Sequence, residues 1–507
     1  MALAVIFLRI VYLACITTLI LYTTGQIYVL YTYIRHYPLR SSNNALPPLP
    51  EIAADKLPTV TVQLPLFNER YVARRIIEAA AALDYPHDRL TIQVLDDSID
   101  DTTELIQARI QQLQTEGLAI DLIHRTDRVG YKAGALANGL CHSQSEFVAI
   151  FDADFVPQPD FLRKTVPYFL TDECIGVVQA RWGHLNDTDN LLTRSQALAI
   201  DSHFAVEQYA RFAGNLIFPF NGSCGLWRRR CIEDAGGWHT DTLTEDFDLS
   251  YRAQIKGWRF IFVRDVVVPG EVPAQMAAYR QQQSRWAKGS TQVLLKLANP
   301  LLHSNLSLRQ RIMGLLQLFQ YAIQPVMLLT LLLTPLMILT HSLIDLSIAP
   351  VGIMGLGAPL LCMLGQQALY YDWVERSLYF PFLTLFASGM AVNNSRASIG
   401  ALVGKPSEFK RTPKFHLDGN SSQQSRQWQR SHYSALTGSD VWWEIGFGLY
   451  ALSAALLSYQ IAPSFTIYFA VYATAFLGVA GWEFMDRLTL LRPVPNPETE
   501  TLPQASR

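Results

Sequence analysis

Long uncharged runs alternate with charged segments along this chain, and the two periodicities inside them predict different things. From Val11 to Ile34 there is no charged residue, enough for one crossing at about 20 residues per transmembrane helix. A cleaved signal peptide would carry a shorter apolar core and a small-residue cleavage site, so the run reads as a permanent anchor covering residues 1–36. Ile312–Ile344 and Leu346–Tyr371, split by Asp345, predict a helical hairpin with a short outer turn. Ile445–Trp482 runs 38 residues without a charge, and Pro463 marks the turn between two helices. Crossings are therefore expected near 312–344, 346–371, 440–461 and 464–482, within a region of 301–485, followed by a tail of 486–507.

Residues 377–395 are uncharged but rich in Tyr, Phe, Ser, Gly and Asn. The loop that follows, 403–437, carries Lys405, Lys410, Arg411, Lys414, Arg426 and Arg430 against Glu408 and Asp418. The positive-inside bias puts that loop in the cytosol, so 377–395 is expected to lie in the interface rather than cross. Five crossings result, with the N-terminus outside and the tail inside. Arg35, His36 and Arg40 after the first run fit the same orientation.

Between the first two membrane runs, over 50–300, the pattern changes to short apolar strands alternating with amphipathic helices. "TVTVQLP" from Thr59 is β-rich, and Asn68 is expected to cap a helix running through Leu83. "LTIQVL", "LAIDLIHR" and "EFVAIFDAD" give further strands, with helices at about 101–115 and over "KAGALANGL". Such alternation predicts an α/β domain with a mostly parallel sheet, whose ligands bind at the carboxyl ends of the strands.

Half of the 507 residues are hydrophobic and 17% are charged, a balance between soluble and purely membranous chains. A net charge of −2 points to no nucleic-acid partner. The six cysteines show no C-x-x-C spacing, which suggests neither a disulfide framework nor a zinc site.

Acidic pairs sit at two strand ends, Asp96 with Asp97 and Asp152 with Asp154. Asp is common in turns, but in an extended chain Asp152 and Asp154 would point to one side. Two carboxylates without a thiol or imidazole suit a hard cation, Mg2+ or Mn2+, that also holds phosphate oxygens. Thr244, Glu245 and Asp246 open a further helix, where acidic residues favour the macrodipole; a carboxylate there can also serve as a general base. On the helix predicted over Ala274–Ala298, Gln282, Arg285 and Trp286 share one face, as i, i+3, i+4 spacing requires. Arg can clamp a phosphate and Trp can stack on a sugar, although an interfacial helix would use the same residues to anchor itself in lipid.

Together "LDDSIDD", "FDAD", "TED" and "QQSRW" resemble the D, DxD, TED, QxxRW set of processive family 2 glycosyltransferases, the group of cellulose synthase. "QLPLFNE", "YKAGAL", "QARWGHLN" and "FNGSCGLWRR" are similar to the cellulose-synthase-like mannan and glucan synthase branch. The resemblance implies a GT-A (Rossmann-like) cytosolic domain inserted in an α-helical membrane bundle, in an integral protein of the plasma or inner membrane. Asp246 is implied as catalytic base, and Asp152 and Asp154 as ligands of metal and diphosphate. Donor binding is implied for Asp96, Asp97, Pro65, Phe67, Glu69, Lys132, Gln282 and Arg285, and acceptor binding for Trp286, Glu245 and Thr244. "EFKRTPKF" is placed like the family's gating loop, with Thr412 and Lys414 as its nucleotide-facing residues, though it departs from the cellulose synthase form. The 25 residues after Trp482 are too few for a PilZ-like domain, so control by a cyclic dinucleotide is not expected.

The expected activity is inverting hexosyl transfer from a nucleotide sugar, UDP-glucose ahead of GDP-mannose, onto a growing β-linked polysaccharide that leaves through the bilayer. Gln317, Gln320, Tyr321 and Gln324 are candidate channel lining, three of them (Gln317, Tyr321, Gln324) on one helical face. Alternatives are a lipid glycosyltransferase adding one sugar to ceramide or polyprenyl phosphate, and a transporter or binding protein that keeps only the fold.

Overall fold

A computed structural model describes residues 2–37, 52–342, 357–405, 412, 414 and 441–491. The outer turn expected around Asp345 and most of the loop 403–437 lie outside the described residues, as does most of the tail.

Among the described residues seven strands form one sheet in the order β3-β2-β1-β4-β6-β5-β7. These are β1 (Val60–Leu66), β2 (Leu90–Asp96), β3 (Ile120–His124), β4 (Phe147–Ile150), β5 (Ile175–His184), β6 (Gly225–Arg228) and β7 (Arg259–Gly270). β1 to β4 run parallel and β5 runs parallel to β7, while β6 is antiparallel to both its neighbours. The near-continuous apolar runs of β1, β2 and β4 suit strands covered on both faces. One face packs under α2 (Ala73–Ala81), α3 (Thr102–Thr115) and α5 (Phe161–Thr171). The other carries α4 (Tyr131–Cys141), α6 (Leu191–Ser202), a π-helical turn at His203–Gln208 and the short α7 (Tyr209–Ala213), then α8 (Arg229–Asp234) and α9 (Glu245–Ile255).

The anchor helix α1 (Ala2–His36) has 35 residues. At 1.5 Å per residue it spans about 50 Å, more than the ~30 Å of a hydrocarbon core. Its surplus enters the domain: Val29 and Tyr33 are buried in the second core with Phe204 and Tyr209. Asn68 does not cap α2; its backbone is left-handed, at φ 53°, and its amide oxygen accepts the Ile99 N–H, so α2 starts later, at Ala73.

After β7 the chain enters α10 (Met276–Leu302), α11 (Leu308–Leu318) and α12 (Ile323–Leu339), then α13 (Gly357–Leu369), α14 (Trp373–Ser377), α15 (Phe380–Gly389) and α16 (Ala391–Leu402). Last come α17 (Val441–Ile461), a turn at Pro463–Phe465 and α18 (Thr466–Leu491). Among the described residues α1, α17 and α18 are long and apolar enough to cross a membrane, and the pair α11 and α12 is a fourth candidate, bent by 64°. That bend breaks the single face expected for Gln317, Tyr321 and Gln324. Gln317 ends up buried, accepting the Tyr251 hydroxyl at 2.9 Å, whereas the Tyr321 hydroxyl meets Gln283 of α10 at 3.3 Å.

Candidate active site

Three parallel strands deliver the acidic groups to one edge of the sheet. Leu66 pairs with Asp96 and Gln63 pairs with Ile150, so the chain beyond β1, β2 and β4 emerges side by side. β4 stops at Ile150, and Asp152 and Asp154 lie in the turn that follows rather than on an extended strand. Strand alternation therefore does not set their direction; two lysines do.

Lys132, in the first turn of α4, places Nζ 2.7 Å from Asp152 Oδ1 and 3.7 Å from Glu245 Oε1. It also donates to the Gly222 carbonyl at 2.8 Å. One ammonium thus joins the end of β4, the loop before β6 and the start of α9. Burial opposes its charge, but Asp152, Glu245 and Asp246 outweigh that and raise its pKa above the ordinary lysine value. Burial likewise opposes ionisation of Asp152, yet Lys132, followed by Lys414, holds that carboxyl below the usual range; Arg285 acts in the same direction. The second lysine, Lys414, is ion-paired to Asp154. Burial again opposes its ammonium, and Asp154, Glu69 and Asp152 together hold it charged. Thr412 is buried nearby in the chain, 6% exposed.

Asp246 is the acid with the opposite shift. Burial first, and the like charge of Glu245 second, push its carboxyl from 3.8 up to about 7, against the pull of Lys132. Gly222, at φ 79°, forms its back wall: a Cβ at that position would stand 2.9 Å from Asp246 Oδ2. Only glycine combines that backbone with so close an approach.

Asp96 and Asp97 divide. Asp96 is fully buried and its carboxylate accepts from Thr103 Oγ1 at 2.5 Å, the Ser98 N–H at 3.1 Å and His124 Nδ1 at 2.9 Å. Asp97 is clamped at both oxygens by Arg125, at 2.8 and 2.5 Å. Arg125 also bonds the carbonyls of Val129 and Tyr131. It thereby pins a turn in which Arg128, Gly130 and Tyr131 all have positive φ, a strain typical of functional loops. Arg128 lies 3.3 Å from the centre of the Phe67 ring. Pro65 sits within β1 and Glu69 is buried beyond its end. Arg125, Arg128 and Gly222 escaped the sequence reading; positive charge close after β3 and the glycines of "FNGSCG" were the available signals.

Gln282, Arg285 and Trp286 are all partly exposed on α10, while Ala287 to Thr291 are buried. Gly289 packs so close to Thr244 that a Cβ would meet its methyl at 2.6 Å, which seats α10 against the start of α9. A cavity of about 220 Å³ opens beside Lys132 and Glu245, lined also by Tyr131, Thr240, Asp241 and Gln292. It adjoins the acidic centre; Asp152, Asp246 and Trp286 are not among its walls.

His239, Asp241 and Asp248 could offer three metal ligands. The Lys296 ammonium already sits among them, at 2.9 Å from His239 Nδ1, 2.7 Å from Asp241 and 2.9 Å from Asp248, so this cluster is an ion-pair network. The pair Asp152 and Asp154 suits a hard divalent cation better because it offers carboxylate oxygens alone, without an imidazole; Lys132 is paired with Asp152 and Lys414 with Asp154.

Residues 58–289 match the family model for glycosyltransferase like family 2, and residues 223–376 match that for cellulose synthase. A glucomannan 4-beta-mannosyltransferase of Arabidopsis thaliana is 44% identical over 251 residues, 49% of this chain and 47% of that one. A second, from Oryza sativa subsp. japonica, is 43% identical over 252 residues, 49% and 48% of the two chains. The matched stretch thus spans about half the length of these relatives. Among solved structures, the mannosyltransferase PcManGT of Pyrobaculum calidifontis, in complex with GDP-Man and Mn2+, has a TM-score of 0.51 at 22% identity, covering 79% of this chain and all of its own. Residues 58–289 thus resemble glycosyltransferase family 2 and residues 223–376 resemble cellulose synthase, and the sheet domain has the GT-A fold.

Proposed function

We propose that the chain is a membrane-embedded inverting hexosyltransferase that extends a β-linked polysaccharide from a nucleotide sugar. The observation that carries this is the convergence of Asp152, Glu245 and Asp246 on Lys132, from segments nearly a hundred residues apart. Asp246 accepts the proton of an acceptor hydroxyl as that oxygen attacks the anomeric carbon. Attack opposite the leaving diphosphate inverts the centre, so an α-linked donor gives a β-linkage. Asp246 is suited to this, since a base titrating near the working pH is both available and strong enough to act. Lys132 and Arg285 meet the charge that develops on the diphosphate. Asp154 and Asp152 would hold Mg2+ or Mn2+, which when bound supplies further neutralisation of that charge.

Phe67, Asp97 and Arg128 are assigned to the nucleoside, with Arg125 orienting Asp97. Asp96 is assigned a supporting part at the end of β2, because three donors already occupy its carboxylate. Thr244, Glu245, Gln282 and Trp286 are assigned to the acceptor side and the sugar. Lys414, with Thr412, is assigned to a gating segment that must leave Asp154 before the cation and phosphates enter.

For the donor, the relatives' names weigh toward GDP-mannose and a mannan or glucomannan product, and give UDP-glucose no support. The bilayer orientation proposed is a cytosolic catalytic domain with the N-terminus outside, and the product leaves among the apolar helices. The test is Asp246→Asn in the purified full chain. Transfer should vanish while nucleotide-sugar binding persists; full turnover by the variant would remove the base assignment.

A further inference from the structure

Helix α10 has two faces, and the one turned away from the donor site is charged. Arg280 lies two residues before Gln282 and five before Arg285, which at 3.6 residues per turn sets it opposite both. Its guanidinium is only 8% exposed, and two carboxylates from two different apolar helices close on it. Glu444, in the first turn of α17, places Oε1 2.5 Å from Nη2; Glu483 of α18 places Oε2 3.0 Å from Nε. These carboxylates are 1% and 2% exposed, and Arg487 adjoins Glu483 at 3.4 Å on the outer side. The same region is fastened twice more. The Met276 N–H at the start of α10 donates to Asp486 of α18, and Asn393 of α16 donates to the Arg280 carbonyl.

Ionisable groups on apolar helices are costly to bury, and a hydrophobic contact would join the elements with less penalty. What the ion cluster adds is direction. A planar guanidinium held from two sides fixes both the rotation and the height of the helix that carries it.

We propose that Arg280, Glu444 and Glu483 form a latch that positions α10, so that Gln282, Arg285 and Trp286 keep one setting relative to the two last membrane helices. The inference rests on the proposed chain-extending function. Its consequence is that the site making each linkage and the helices beside which product leaves are held in register. Loosening the latch harms transfer and elongation while leaving the nucleotide bound by Asp97, Phe67 and Lys132.

The test uses Arg280→Gln, Arg280→Lys and Glu483→Gln in the full chain in nanodiscs, reading nucleotide-sugar Kd, turnover and product length. Misplacement of catalytic groups by about 1 Å can cost roughly 100-fold, so Arg280→Gln should lose at least ~10-fold in turnover and give shorter product. Donor Kd should change far less than turnover, because Asp97, Phe67 and Lys132 stay in place and Arg285 acts mainly on charge that develops as the bond breaks. Arg280→Lys should recover part of the loss, and Glu483→Gln, which leaves the Glu444 pair, should fall between. Wild-type turnover and product length in Arg280→Gln would overturn the latch, as would loss of donor binding in step with turnover in all three variants. Amide exchange over 276–286 separates this from the functional reading. If the wild type transfers no sugar at all, that reading fails, while faster exchange in Arg280→Gln still supports the latch and unchanged exchange removes it.

Discussion

Substituting Glu245 by Gln should move the pH dependence of the reaction in a direction that follows from the charges around Asp246. That carboxyl sits at about 7 instead of 3.8, burial contributing most and Glu245 next, with Lys132 opposing. The difference between about 7 and 3.8 corresponds to ~4 kcal/mol between its two protonation states. A general base must be ionised, so the rate of the wild type should fall as pH drops through about 7. Glu245→Gln removes a like charge from the next residue, an effect of roughly one unit or ~1.4 kcal/mol, and the acid limb should move down toward pH 6. The assay is the pH profile of kcat/KM for sugar release from the nucleotide, scored by the position of the limb and not its height. A limb that stays in place or moves upward would refute the account of how Asp246 is tuned. The same shift has a stability consequence. The folded state favours protonated Asp246, so its contribution is complete below about pH 4 and is lost as pH rises through about 7. Asp246→Asn should therefore raise the apparent Tm at pH 8 by an amount equivalent to roughly 1–4 kcal/mol, though it abolishes transfer.

Gly222→Ala should cost ~1–3 kcal/mol through its positive φ and displace Asp246, lowering turnover; wild-type kinetics would show that the close approach does not matter. Lys414→Ala removes the ammonium paired with Asp154, so the free enzyme should bind Mn2+ several-fold more tightly by titration calorimetry, on the order of 1 kcal/mol. Unchanged affinity would place the cation elsewhere. Trp286→Ala should shorten the product measurably while donor Kd stays within about twofold, since a stacking surface for the acceptor makes no ground-state contact with the nucleotide.

The α/β alternation was legible because β1, β2 and β4 are short, apolar and bounded by turn residues, and because α3 and α4 have helical periodicity. The antiparallel β6 was not, since "GLWR" is too short to announce a direction. Asn68 misled for a physical reason: Asn favours both N-caps and left-handed turns, and only the distant Ile99 N–H decides between them. The carboxylates of the site could be named from the chain, but their states could not. Nothing local distinguishes Asp96, spent on Thr103 and His124, from Asp97, held by Arg125. Burial and ion pairs across nearly a hundred residues set these roles. The same holds for Gln317: helical spacing puts it on one face with Tyr321 and Gln324, but it is buried against Tyr251 and the helix breaks just after it.

The most direct measurement gives the purified full chain in nanodiscs radiolabelled GDP-mannose or UDP-glucose, with Mn2+, and separates ethanol-insoluble polymer from organic-extractable glycolipid. Label from GDP-mannose should enter insoluble material that an endo-β-mannanase digests, and Asp246→Asn should leave none. Label confined to the organic phase, or polymer formed equally well by Asp246→Asn, would contradict the account.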